Sequence, residues 1–95
     1  PVAGQPRVTS VTWNSKKTIC YVTASDALGL SVSVTRLENI FEGDEPINAE
    51  GKGRVVFEEV DDLIGEQIAV VLKRDGLKVA EERLIFGEKF EQGGG

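Results

Sequence analysis

The sequence predicts an all-β protein, an antiparallel β-sandwich of about seven strands. Three observations carry this expectation. β-Branched and aromatic residues come in short alternating runs. The runs recur at spacings of roughly 8–12 residues, the rhythm of sandwiches and barrels. Gly, Asp and Asn steps cut them apart, and no segment holds a clear helical stripe.

Residues 7–13 alternate, with Val11 and Trp13 on one side and Thr12 on the other, as in a half-buried strand. Asn14-Ser15-Lys16-Lys17 is a polar turn into residues 18–24, which are rich in residues that suit a pleated surface. Ser25-Asp26-Ala27-Leu28-Gly29 breaks that run. Residues 30–37 then give the cleanest alternation, Leu30, Val32 and Val34 inward, Ser31, Ser33 and Thr35 outward. Residues 38–53 are irregular, with one short edge strand expected at 46–49. Residues 54–60 form the next strand, Val55 and Phe57 sharing a face. Gln67 opens a strand at 67–73 that carries Ile68, Val70 and Leu72 on one side. Asp75-Gly76 is the strongest hairpin signal in the chain and returns it through 77–86. A helix over 60–73 is the competing assignment. Gly65 in its middle and the β-branched residues of 68–72 favour the strand.

The division expected is an N-terminal arm at 1–6, a single domain at 7–88 and a flexible Gly-ended tail at 89–95. Whether the chain is a complete processed protein or one domain of a larger one stays open. Ninety-five residues with net charge −5 and no basic stripe disfavour nucleic acid. No apolar run approaches the ~18 residues that cross a bilayer, and no secretion signal is visible. The lone Cys20 cannot form an internal disulfide and reads as a small buried hydrophobe.

The stretch Ala24-Ser25-Asp26-Ala27-Leu28-Gly29-Leu30-Ser31-Val32-Ser33-Val34 resembles a bacterial immunoglobulin-like or prealbumin-like repeat. Such repeats run D-x-x-G into an alternating strand, then G-x-G-x-V-x-F, then G-x-x-x-V-x-V. The later pieces here are Gly51-Lys52-Gly53-Arg54-Val55-Val56-Phe57 and Gly65-Glu66-Gln67-Ile68-Ala69-Val70, so the resemblance spans 24–86. It implies an immunoglobulin-like Greek-key sandwich. The paired Cys of antibody domains is missing, Gln67 stands where a corner Tyr is expected, and Trp13 lies too early for the usual core Trp. The resemblance therefore carries a fold and no functional residue.

Reaction chemistry is sparse. There is no His, which with a single Cys removes zinc sites, and no nucleophile stands in a recognisable frame. Carboxylates are numerous, yet Glu58-Glu59 and Glu81-Glu82 are strand neighbours that point to opposite faces, which is unsuited to an acid–base pair. Glu42-Gly43-Asp44-Glu45 has oxygen ligands and a Gly suited to calcium but lacks the full loop spacing, and a solvated loop is the simpler reading. Gly51-Lys52-Gly53 is a turn, too short for a phosphate loop. Gly93-Gly94-Gly95 recurs in ubiquitin-like tails, but the helix of that fold is missing from the pattern. No cofactor or metal is expected.

Trp13, Tyr21, Phe57 and Phe86 sit in alternating strands and are assigned to the core. Phe41 and Phe90 fall in a loop and a tail, where an apolar ring would stand unshielded in a monomer. With the acidic residues Glu42, Asp44 and Glu45 they are the candidate partner contacts. The expectation is a non-enzymatic structural or interaction module bound to its own kind or to a larger protein assembly. A capsid or virion accessory is the favoured case, with a virion or cell-surface location. The alternatives are a small carbohydrate-binding module, with a glycan on an exposed Trp13 or Tyr21, and one repeat of a bacterial surface adhesin.

Overall fold

The computed structural model describes residues 4–93. Residues 1–3 of the expected arm and 94–95 of the expected tail lie outside them. Eight strands make two antiparallel sheets of four, with no helix among the described residues. They are β1 (Arg7–Trp13), β2 (Ile19–Ser25), β3 (Ser31–Arg36), β4 (Asn39–Glu42), β5 (Lys52–Val56), β6 (Gln67–Arg74), β7 (Leu77–Ile85) and β8 (Phe90–Glu91). The first sheet runs β5-β2-β1-β8 and the second β4-β3-β6-β7.

The pleat explains the core. Val11, Val22 and Val55 of the first sheet and Val34, Val70 and Leu72 of the second are all essentially inaccessible, and they belong to one cluster. Each such side chain contributes about 1.5–3 kcal/mol by leaving water. One end of the cluster is aromatic. Trp13 lies 4.4 Å from Phe86 between ring centroids, and Phe57 lies 5.0 Å from Phe86 and 5.1 Å from Phe41. The half-buried Trp13 also donates its indole N–H to the Glu88 carbonyl at 2.7 Å. Asp75 and Gly76 take φ of 53° and 80°, and Arg74 pairs with Leu77, so the Asp-Gly step closes a two-residue primed turn.

Several expectations need correction. The edge strand is at Asn39–Glu42 and not at 46–49. Pro46 has no N–H to donate, and Ile47 is drawn into the core by hydrogen bonds of 2.8 Å to Leu30 and 2.9 Å from Gly29. β5 is Lys52–Val56, ending before the expected 60. Val60 and Leu63 instead plug the end of the sandwich through a turn in which Leu63 and Ile64 both donate to the Val60 carbonyl. Part of the expected tail is strand: β8 pairs Phe90 with Val11 and Glu91 with Ser10. Ser33 faces away from the core yet is 1% exposed, flanked by Glu42 and Val71. Among the described residues its hydroxyl has no hydrogen-bond partner.

Candidate binding site

After β4 the chain leaves the second sheet and crosses to the edge of the first. The Gly43 amide donates to the Val32 carbonyl at 2.8 Å, and a Cβ on Gly43 would come within 2.8 Å of the Arg54 carbonyl oxygen. Only glycine lets the crossing pass so close to β5. Asn48 then organises the far side of the loop. Its Oδ1 accepts from the amides of Glu50 at 3.0 Å and Lys52 at 2.9 Å, and its carbonyl accepts from Gly51 at 2.9 Å. Gly51 fastens this turn to β2 by accepting from the Ala24 amide at 2.8 Å.

Between the tethered loop and β5 lies a concavity of about 370 Å³, open to solvent and lined by Tyr21, Asp44, Glu45, Asn48, Lys52 and Arg54. Register brings the strand residues together. Tyr21 stands opposite Arg54, and Thr23 opposite Lys52. All four point outward, because Cys20, Val22 and Val55 on the same strands are buried. Lys52 Nζ donates to Thr23 Oγ1 at 3.2 Å. Among the described residues the Arg54 guanidinium has no carboxylate partner, and ion pairs form elsewhere, at Arg36–Glu66 and around Glu81. The walls therefore differ in chemistry. The strand side offers cationic donors and an aromatic ring, and the loop side offers carboxylate acceptors.

Tyr21, expected in the core, is instead 41% exposed, because β2 turns Cys20 and Val22 inward and Tyr21 outward. Asp44 and Glu45 meet in the concavity, whereas Glu42 stands on β4 opposite Ser33, on the outer face of the other sheet. Phe41 and Phe90 are neither unshielded nor adjacent. Both are half-buried and pack on the core. They lie on opposite flanks, since β4 packs beside β5 and β1, the neighbour of β8, packs beside β7. Among the described residues no group of three or more acidic, Cys or His side chains is placed to share a metal ion. Burial pushes the Cys20 thiol up to about 12, so at neutral pH it is a protonated, buried group.

Tyr21 aside, the exposed large apolar side chains lie toward the two ends of the sandwich. Leu37, Ile40, Val56 and Ile64 are at one end, and Leu28, Leu77 and Val79 are at the other. Leu37 is the most exposed of them at 85% and also holds a left-handed φ of 53°. The first strand starts at the Leu28 end, and β8 runs back toward it, with Gln92 donating to the Thr9 carbonyl. The Leu37 end therefore points away from both described ends of the chain. No family model matches the chain, and neither a curated protein nor a solved structure is significantly similar to it.

Proposed function

We propose that the chain is a non-enzymatic interaction module of immunoglobulin-like Greek-key topology that docks on a larger protein assembly. Support for the topology comes from strand order. β1, β2 and β5 share one sheet and β3, β6 and β7 the other, the partition of the first, second and fifth and of the third, sixth and seventh strands in immunoglobulin domains, with β4 added beside β3. The observation that carries the function is the exposure of Leu37 and Ile64 at the end that points away from both described chain ends, with Ile40 and Val56 exposed near that end on the outer faces of the two sheets. Large apolar side chains left exposed toward one extremity suit a contact with a partner. Leu37 takes its left-handed φ as the first residue of the two-residue β3–β4 hairpin loop, a turn that holds its side chain out at the tip. A capsid or virion surface is the assembly that a small, acidic domain held by packing alone suits best, and it is part of the proposal.

The test is the size of the species that carries the chain in an extract of its source. A large complex that loses the chain on Leu37→Lys or Ile64→Lys substitution is the expected result. A free monomer near 10.3 kDa would overturn the docking reading. A second reading, carbohydrate binding, is favoured by one specific observation: Tyr21 is exposed beside a concavity that mixes donors and acceptors.

A further inference from the structure

We propose that the concavity beside β5 is a subsite for a pyranose bearing a carboxylate, a hexuronic acid unit of an acidic polysaccharide. The proposal deepens the carbohydrate reading and rests on it. Four features of the site specify the ligand. The Tyr21 ring offers a flat face with negative charge density, which matches the polarised C–H groups on one side of a pyranose. Arg54, directly across the register from Tyr21, holds a planar fork of donors unpaired among the described residues, which suits bidentate binding of a carboxylate. Lys52 adds a second positive charge on the same strand. On the opposite wall Asp44 and Glu45 accept hydrogen bonds and cannot donate them when ionised, so they select hydroxyl groups.

The ligand must therefore be polarised, with an anionic edge toward β5 and hydroxyls toward the loop. A neutral sugar would leave the Arg54 fork without an anion. A free amino acid would satisfy both charged walls but would leave the ring face of Tyr21 with little to cover it, and an open notch would leave so small a molecule largely solvated. A polymer passing along the notch can place one unit in it and continue on both sides. Asn48, which also lines the concavity, has its Oδ1 committed to the loop, and its Nδ2 has no hydrogen-bond partner among the described residues.

The overall charge of −5 makes the experiment sharper. An acidic protein repels a polyanion in general, so binding of one reports a local arrangement of charge. The measurement is an amide-resolved NMR titration of the whole chain with a short oligogalacturonate and, separately, with its methyl ester, which keeps the rings and removes the charge. The expected result is that the acid shifts the amides of Tyr21, Gly53 and Arg54, and that the ester binds about tenfold more weakly or worse, the loss that follows from one charge-assisted contact. Arg54→Gln should weaken the acid to the level of the ester with an unchanged melting temperature, since Arg54 is exposed. Equal binding of acid and ester would overturn the carboxylate assignment and leave the carbohydrate reading standing. Binding of neither would overturn both. Shifts confined to other parts of the surface would overturn the location.

Discussion

Gly51 illustrates how strictly single residues are constrained in the crossing loop. Its φ of 79° lies where side chains are disfavoured, and a Cβ there would collide with the Ala24 carbonyl oxygen that its own turn faces. Backbone cannot move aside as a side chain can. Gly51→Ala is therefore expected to cost about 2 kcal/mol or more, read as a lower urea midpoint with an unchanged slope. Ser33 is the opposite case. Its buried hydroxyl lacks a partner among the described residues, so removing it also removes a desolvation penalty. Ser33→Ala should raise stability by up to about 1 kcal/mol in the same assay. Cys20 supplies a pH test. Its thiol stays protonated in the fold to about pH 12 from an ordinary value of 9.0. A raised pKa contributes stability that is complete below the unfolded value and is lost as pH rises through the window up to the folded value. Stability should fall as pH climbs above about 9, less steeply in Cys20→Ala, and a thiol reagent at pH 8 should react only after denaturant opens the core.

At the scale of elements, β7 carries its own charge network. Lys78 Nζ donates to Glu81 Oε1 at 2.7 Å and Arg83 Nε donates to Glu81 Oε2 at 3.1 Å, and these two hydrogen bonds hold the Glu81 carboxyl below the usual glutamate value. A lowered pKa gives stability that is present above the unfolded value and disappears as pH falls through the folded one. Glu81→Gln should be slightly less stable than the parent at neutral pH and low salt. The gap should close below the ordinary glutamate range, and added salt should shrink it at any pH. Which elements the sequence discloses follows the same physics. Leu30 to Val34 and Asp75-Gly76 were legible because alternation and turn chemistry are local. Tyr21 was not, because Ile19, Cys20, Tyr21 and Val22 are apolar in succession, and either face of β2 could turn inward on pattern alone. The strand at Asn39–Glu42 was hidden by its length, and Ile47 by the Pro before it. The concavity was invisible in principle, since β2, β5 and the crossing loop meet only through strand order.

At the scale of the whole molecule the question is how two four-stranded sheets avoid pairing with their neighbours in solution. The first sheet ends in the five-residue β5 and the two-residue β8, and the second begins with the four-residue β4. Short edges offer little template. β7 is the exception, nine residues long with its outer edge unpaired among the described residues. Two devices protect it. The register shift between Leu72 and Lys73 leaves Val79 without a partner on β6 and bends the strand. Lys78, Glu81, Glu82 and Arg83 place charge along it, and Glu82, opposite the buried Val70, carries its charge on the core-facing side. A second strand arriving at this edge would have to desolvate that carboxylate. Deleting Val79 and replacing Glu82 with Val removes the bulge and the inward charge and leaves the hydrogen bonds to β6 available. The variant should then self-associate edge to edge, seen in sedimentation as a mass that rises with concentration while the parent stays monomeric under the same conditions. If the double change leaves the variant monomeric at every concentration, the bulge and the inward charge are not what keeps this edge closed.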